Sequence, residues 1–214
     1  MMVTPKIEGK MENLSLTETE SFLNDNMISF EEISQNYCVG IVDVVDSTKI
    51  VSKLSQKEVA IYYSVFLNTI GYIAQSHGAK VVKNIGDGVL FYFPADSTKN
   101  PKCPLKCATK MLEASEMMNK IFQKRKMPKI QYRISLDYGP LMIAKYQTSS
   151  CKDIFGPTVN LCSKLNRIAK PNGLVIGSDM YQVVKKSKQY RFQEVKGYQS
   201  AHKQDYPVYS VESR

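Results

Sequence analysis

The chain has 214 residues, 43% of them hydrophobic and 23% charged, which suits one domain with a short extension and excludes wholesale disorder. No apolar run nears the ~18 residues of a membrane span, and Met1–Lys10 has no apolar stretch of signal length, so an integral membrane protein is excluded and secretion disfavoured. The 29 basic residues outnumber the 20 acidic ones, for a net charge of +9, which asks for a polyanion: a nucleic acid, an anionic membrane or a phosphate compound.

Residues 1–36 are rich in Glu, Asp, Asn, Ser and Thr and read as an extension, a short helix and loop or a partly ordered stretch. Residues 37–214 read as the domain proper. Tyr37–Val45 is a β-branched run broken by one acid, Asp43, and reads as a buried strand. Asp46-Ser47-Thr48 ends it and is placed to cap a helix. Ser55–His77 repeats apolar residues (Val59, Tyr63, Phe66, Ile70, Ile73) at helical spacing and closes on Gly78. Lys80–Phe93 reads as a hairpin about Asp87-Gly88. Leu105–Lys124 is a second amphipathic helix. Ile130–Leu136 and Leu141–Tyr146 read as two strands turning at Gly139. Pro157–Ala169 is a third helix, with its proline in the first turn. Leu174–Gly177, a short helix near Met180–Lys185, and strands near Tyr190–Val195 and Pro207–Val211 complete the chain. This order predicts an α+β fold: a ferredoxin-like βαββαβ core with a small C-terminal α/β subdomain.

Five cysteines is an odd, modest count, which argues for a reducing cytoplasmic setting rather than a disulfide framework. Cys103 and Cys107 lack the further ligands that a zinc site needs. Asp43 is the first chemical anomaly, because a carboxylate inside an apolar strand is costly unless it is paired or bound to a cation. Asp87 taken alone is turn chemistry. If the first strand lies beside the hairpin, the two meet at one end of a sheet. Two carboxylates completed by substrate phosphates is a usual way to hold Mg²⁺.

VGIVDVVDST at 39–48, KNIGDG at 83–88, YRISLDYG at 132–139 and DIFGPTVNLCSKL at 153–165 together resemble the class III nucleotidyl cyclases, the adenylyl and guanylyl cyclases. The motifs stand in family order and the resemblance spans roughly residues 37–211. It implies conversion of a nucleoside triphosphate to its 3′,5′-cyclic monophosphate and pyrophosphate, with two Mg²⁺ or Mn²⁺ ions per site. Asp43 and Asp87 match the metal aspartates, with the Val44 carbonyl as a further ligand. Arg133 matches an arginine near the triphosphate. Lys196 is a looser match to a phosphate-binding lysine, and ordinary surface exposure fits it as well. Lys83 and Asp153 match the base-reading pair. Lysine only donates and ionised aspartate only accepts, which fits adenine and misfits guanine, so ATP is the expected substrate. Asn160 matches the ribose-positioning asparagine.

Lys164 stands where the family places a catalytic arginine, and Arg167, three residues on, is a possible substitute on nearly the same helix face. Position 46 is Asp where glycine is common. It would either cap the following helix, the preferred reading, or add a third carboxylate near the metals. Lys152 brings a positive charge beside the base pocket. The resemblance further implies a head-to-tail homodimer with two composite sites. Two other readings stay open: a nucleotide-binding regulatory homology domain, supported by Lys164, and a guanylyl cyclase. A nucleic-acid-binding patch at Gln123–Lys129 is disfavoured, because it lacks interleaved aromatics.

Overall fold

The alternation in the first strand decides how the domain is layered. Cys38, Val42 and Val44 belong to one buried cluster, while Tyr37, Val39 and Ile41 belong to another. Successive strand residues point to opposite faces, so this strand is covered on both sides. In the computed structural model, which describes residues 28–94, 102–146, 152–196 and 206–214, it is β1, Ile28–Val44. There follow α1 (Ser47–Val51), α2 (Gln56–Ser76), β2 (Lys80–Ile85), β3 (Gly88–Phe93), α3 (Lys102–Lys124), β4 (Tyr132–Tyr146), β5 (Lys152–Phe155), α4 (Pro157–Asn166), β6 (Leu174–Gly177), α5 (Ser178–Val184), β7 (Tyr190–Glu194) and β8 (Val208–Ser213).

The sheet runs β2-β3-β1-β4-β6-β8-β7, with β5 paired to β4. Its first four strands, joined through α2 and α3, are the expected βαββαβ unit, and the fold is a mixed α+β one. The C-terminal elements extend the same sheet: β6 runs parallel to β4, and β8 and β7 continue outward from it.

Two sequence expectations are corrected. Ile28–Asn36 is not part of an extension, because it pairs with Pro140–Tyr146 of β4 and lengthens β1. Residues 1–27 lie outside the described residues. Gly139 is not a turn either: β4 runs unbroken through Gly139-Pro140, with Tyr37 opposite Gly139 and Asn36 opposite Pro140. Pro140 falls between the stretch of β4 that pairs with β6 and the stretch that pairs with β5, and its carbonyl accepts a hydrogen bond from Thr158 Oγ1 at 2.8 Å. A local Gly-Pro cue is overridden because a long β1 supplies a continuous partner.

Helix α2 starts at a full capping box: Ser55 accepts from the Glu58 N–H, and Glu58 accepts from the Ser55 N–H. Its buried stripe is Tyr62, Phe66, Ile70 and Ala74. Of the apolar positions expected on its inner face, Val59, Tyr63 and Ile73 flank the stripe. Helix α3 contributes Leu105, Ala108, Met111, Met118 and Phe122 to the same core. Tyr62 stacks on Phe122 with ring centroids 4.4 Å apart. Each such buried side chain stabilises by roughly 1.5–3 kcal/mol, and removing Phe66 to alanine would cost about 3–5 kcal/mol. On the opposite face, Cys162 of α4 packs with Val39, Ile41, Leu90 and Ile143. That packing sets α4 beside the strand that carries Asp43.

Candidate active site

Asp43 is the penultimate residue of β1, opposite Gly88 on β3 and Arg133 on β4. The hairpin between β2 and β3 turns at Gly86-Asp87, so Asp87 arrives one residue from the Asp43 partner. Gly88 is required here. A Cβ on it would sit 2.7 Å from the Val42 carbonyl oxygen and 3.4 Å from Asp43 Oδ1. Only glycine allows the hairpin to close onto the carboxylate.

The electrostatics agree with the geometry. Burial pushes the Asp43 carboxyl up, the charge of Asp87 pushes it further, and Arg133 and Arg167 pull it down. Four of the sequence-predicted residues therefore share one field. Val44, buried, follows Asp43 at the strand end. Tyr63 of α2 also feels Asp87, its hydroxyl being raised first by burial and then by that carboxylate.

The donor set fits a divalent cation that is completed by phosphates. The two carboxylates repel one another across a half-buried site, and a hard cation relieves that. Among the described residues no group of three His, Cys, Asp or Glu could enclose a metal, so further ligands would come from substrate and water. Arg133 carries a complementary signal: its Nε is buried and has no hydrogen-bond partner among the described residues. A buried guanidinium N–H without an acceptor is expensive, and a phosphate oxygen is a natural partner for it.

Asp46 does not cap α1. It stands at the N-cap in the left-handed region (φ 54°), with no side-chain cap bond. Its carboxylate pairs with Lys49 Nζ at 3.1 Å instead. With φ positive, the side chain swings away from the first-turn N–H groups. It is not grouped with Asp43 and Asp87.

A second cluster lies where β2 meets β5. These strands are not neighbours in the sheet, yet Lys83 Nζ donates to Asp153 Oδ2 at 2.5 Å. Register shifts interrupt the β1–β4 ladder between Phe30 and Gln35, and β5 is carried on β4. Asp153 is buried, with its Oδ1 taking the Ile154 N–H at 2.8 Å. Lys83 stays half-exposed. Tyr146, at the end of β4, brings its hydroxyl to 3.4 Å from the same Asp153 Oδ2. Sequence reasoning missed Tyr146; its cue would have been a tyrosine seven residues before the acid, across a hairpin.

Asn160 and Lys164 lie one turn apart on α4, exposed and partly exposed respectively, and Arg167 caps the helix C-terminus. Arg167 is one of the charges acting on Asp43 of its own chain.

The residue that sets this arrangement was not singled out from sequence. Asn166 is 3% exposed, and its Nδ2 donates to the Ile41 carbonyl at 3.1 Å and the Arg133 carbonyl at 3.3 Å. One amide ties the last turn of α4 to both strands that carry the site. Lys196, exposed after β7, lines a cavity with Ile168, Lys170, Asn172 and Gly173. Asp43, Asp87 and Lys83 do not line that cavity.

A family model described as the adenylate and guanylate cyclase catalytic domain matches residues 30–213. The chain is 25% identical over 146 residues to an adenylate cyclase of Streptomyces coelicolor, which covers 68% of this chain and 33% of that protein. It is 22% identical over 194 residues to a cytidylate cyclase of Staphylococcus aureus, covering 86% of this chain and 45% of that one. The chain thus spans a third to under a half of these relatives. The crystal structure of the adenylyl cyclase CyaB from P. aeruginosa shares its fold, with a TM-score of 0.73 at 20% identity, over 85% of this chain and 97% of that one. With both metal-type aspartates meeting at the β1 terminus and the match running almost end to end, the chain belongs to the adenylate and guanylate cyclase catalytic domain family.

Proposed function

We propose that this chain is an adenylyl cyclase, converting ATP to 3′,5′-cyclic AMP and pyrophosphate at a site shared by two copies. The Lys83–Asp153 ion pair carries the choice of ATP. A donor-only group beside an acceptor-only group matches the ring nitrogen and amino group of adenine. Against guanine both would face groups of their own kind.

Asp43 and Asp87, with the Val44 carbonyl, would hold two Mg²⁺ or Mn²⁺ ions. Bound divalent ions neutralise phosphate charge and lower the pKa of the attacking 3′-hydroxyl. Arg133 binds the triphosphate through its unpartnered Nε. Asn160 orients the ribose, and Lys164 stabilises charge on the α-phosphate as the 3′-oxygen attacks and pyrophosphate leaves. Arg167 adds positive charge beside Asp43 of its own chain. Lys196, at a cavity that Asp43, Asp87 and Lys83 do not line, fits a surface lysine at least as well as a phosphate ligand.

The family resemblance supports a head-to-tail homodimer, in which the aspartates of one copy would face Lys83, Asp153, Asn160 and Lys164 of the other. The catalytic domain then takes in at least residues 30–213, the span that the family model matches. The thiols of Cys38, Cys103, Cys107 and Cys162 are free, which suits the cytoplasm, where ATP is available. No described helix is long and apolar enough to cross a membrane.

Lys164 supports a second reading, a nucleotide-binding domain with little turnover, because lysine lacks the arginine fork. Incubation with ATP or GTP and Mn²⁺ separates the readings. Cyclic AMP that disappears in both Asp43→Ala and Asp87→Ala supports the cyclase. ATP binding without product supports the second reading. A product formed mainly from GTP contradicts the base assignment.

A further inference from the structure

We infer that Asp137, Tyr206 and Asp179 form a proton-operated clasp: it ties α5 and the start of β8 to the strand that carries Arg133 when Asp137 is protonated, and loosens when Asp137 is charged. The inference goes beyond the cyclase reading and does not depend on it.

Three elements meet in the clasp. Asp137 lies within β4 and is 1% exposed, an unusual place for a carboxylate. Tyr206, 5% exposed, stands just before β8 and brings its hydroxyl to 2.8 Å from Asp137 Oδ1 and 3.0 Å from Oδ2. The same hydroxyl lies 3.3 Å from Oδ2 of Asp179, in the first turn of α5, and accepts the Asp179 N–H at 3.2 Å. Gly177, where β6 passes into α5, makes room for the contact. A Cβ there would sit 2.5 Å from Asp137 Oδ1 and 2.7 Å from the Tyr206 hydroxyl oxygen.

Counting donors gives the switch. The Tyr206 hydroxyl has one hydrogen and two carboxylates within its reach. With Asp137 charged, that hydrogen serves Asp137 or Asp179 but not both, and two negative groups face each other across one oxygen. A single added proton completes the set. Asp137 Oδ1 keeps the Tyr138 N–H at 2.9 Å, so the proton sits on Oδ2 and is donated to the Tyr206 oxygen. Tyr206 then donates to Asp179. Asp179 is exposed, which gives the proton a way in.

Among the described residues no lysine, arginine or histidine pairs with Asp137. Cys38 of β1 and Cys162 of α4 also face it. Burial raises both thiols most and the Asp137 charge raises them further, so they stay neutral. Burial lifts the Asp137 carboxyl from 3.8 to about 6, against the hydrogen bonds of Tyr206 and the Tyr138 N–H and with Asp179 pushing the same way. Opening hydrates Asp137 and returns it to its ordinary value. A carboxyl raised in the closed state favours that state at low pH, and the advantage is lost as pH rises through about 6. Between pH 5 and pH 8 the opening equilibrium should therefore rise about tenfold. The effect reaches Arg133 along its own strand: β6 pairs with β4 at Ile134–Leu136 and runs directly into Gly177 and α5.

The test is amide hydrogen exchange of the full chain, read by mass spectrometry from pH 5 to pH 8 and corrected for the intrinsic pH dependence of exchange. Opening of α5 and β8 should rise about tenfold over this range, and both should exchange faster than α2 at every pH, as a local opening requires. Asp137→Asn supplies a permanent N–H donor in place of the protonated acid and should hold both segments at their pH 5 level throughout. Asp179→Asn removes the competing charge and should shrink the rise, which keeps the test intact if Asp137→Asn fails to fold. Tyr206→Phe should open both segments already at pH 5. Equal opening at pH 5 and pH 8, exchange no faster than that of α2, or a rise unchanged in the two aspartate variants would overturn the clasp. In the cyclase assay, KM for ATP should rise with pH by more in the parent than in Asp137→Asn; an equal rise would overturn the link to Arg133. Absence of any cyclic product would remove the cyclase reading and leave the exchange data to decide the clasp.

Discussion

Asn166 is where a single side-chain change should reach the site without touching substrate. Its amide donates to the carbonyls of Ile41 and Arg133. Asn166→Ala deletes both bonds and leaves two buried carbonyls short of a donor. At about 1 kcal/mol per bond, plus part of the desolvation cost of the orphaned carbonyls, the loss should be about 2–4 kcal/mol. That is a large share of the stability of an ordinary domain. The same change frees the last turn of α4, which carries Lys164 and Arg167. Misplacement of about 1 Å costs roughly a hundredfold in rate. Asn166→Asp sharpens the test, because an ionised carboxylate can only accept and would face two acceptors. It should be more destabilising at pH 8 than at pH 5, where protonation restores one donor. Urea unfolding and cyclic nucleotide formation, both measured below the melting range, check this. A stability loss under about 0.5 kcal/mol for Asn166→Ala, or an Asn166→Asp variant indifferent to pH, would refute the bracing role.

Three further outcomes follow from other groups. Burial raises the Asp137 carboxyl from its ordinary 3.8 to about 6, against the opposing hydrogen bonds of Tyr206 and the Tyr138 N–H and with a further push from Asp179. A raised carboxyl favours the folded state below its unfolded pKa, and that contribution, about 3 kcal/mol, is lost as pH rises through about 6. Asp137→Asn should therefore match the parent at pH 4 and exceed it by up to that amount at pH 8 in urea midpoints; equal pH slopes would count against it. Arg133→Met should not lower stability, since it removes a buried Nε that has no partner, yet should lower kcat/KM for the triphosphate at least about tenfold. Lys164→Arg should raise kcat, and a fall would show that the lysine is not a handicap.

Much of the site was legible because its residues are locally improbable. An acid at position 43 inside a valine-rich run, and a Lys-x-x-Gly-Asp-Gly hairpin, announce themselves through the cost of burial and the geometry of turns. The βαββαβ order was legible from periodicity. What stayed hidden depended on long-range partners. Ile28–Asn36 looked like an extension because its pairing with Pro140–Tyr146 leaves no local mark. Gly139-Pro140 looked like a turn for the same reason. Asn166 read as one more helical residue, since its role exists only where two strand carbonyls meet it. Asp46 carried a capping cue that its left-handed backbone overrides.

The central claim is a cyclase whose site takes its metal-type aspartates from one copy and its base-reading pair from another. Mixing two individually silent variants, Asp43→Ala and Asp153→Ala, tests it most directly. Reassorted dimers would regain one intact site in each mixed pair, so cyclic AMP formation should return to about a quarter of the parent rate. A mixture that forms mixed dimers yet makes no cyclic AMP, while the parent is active, would contradict the account.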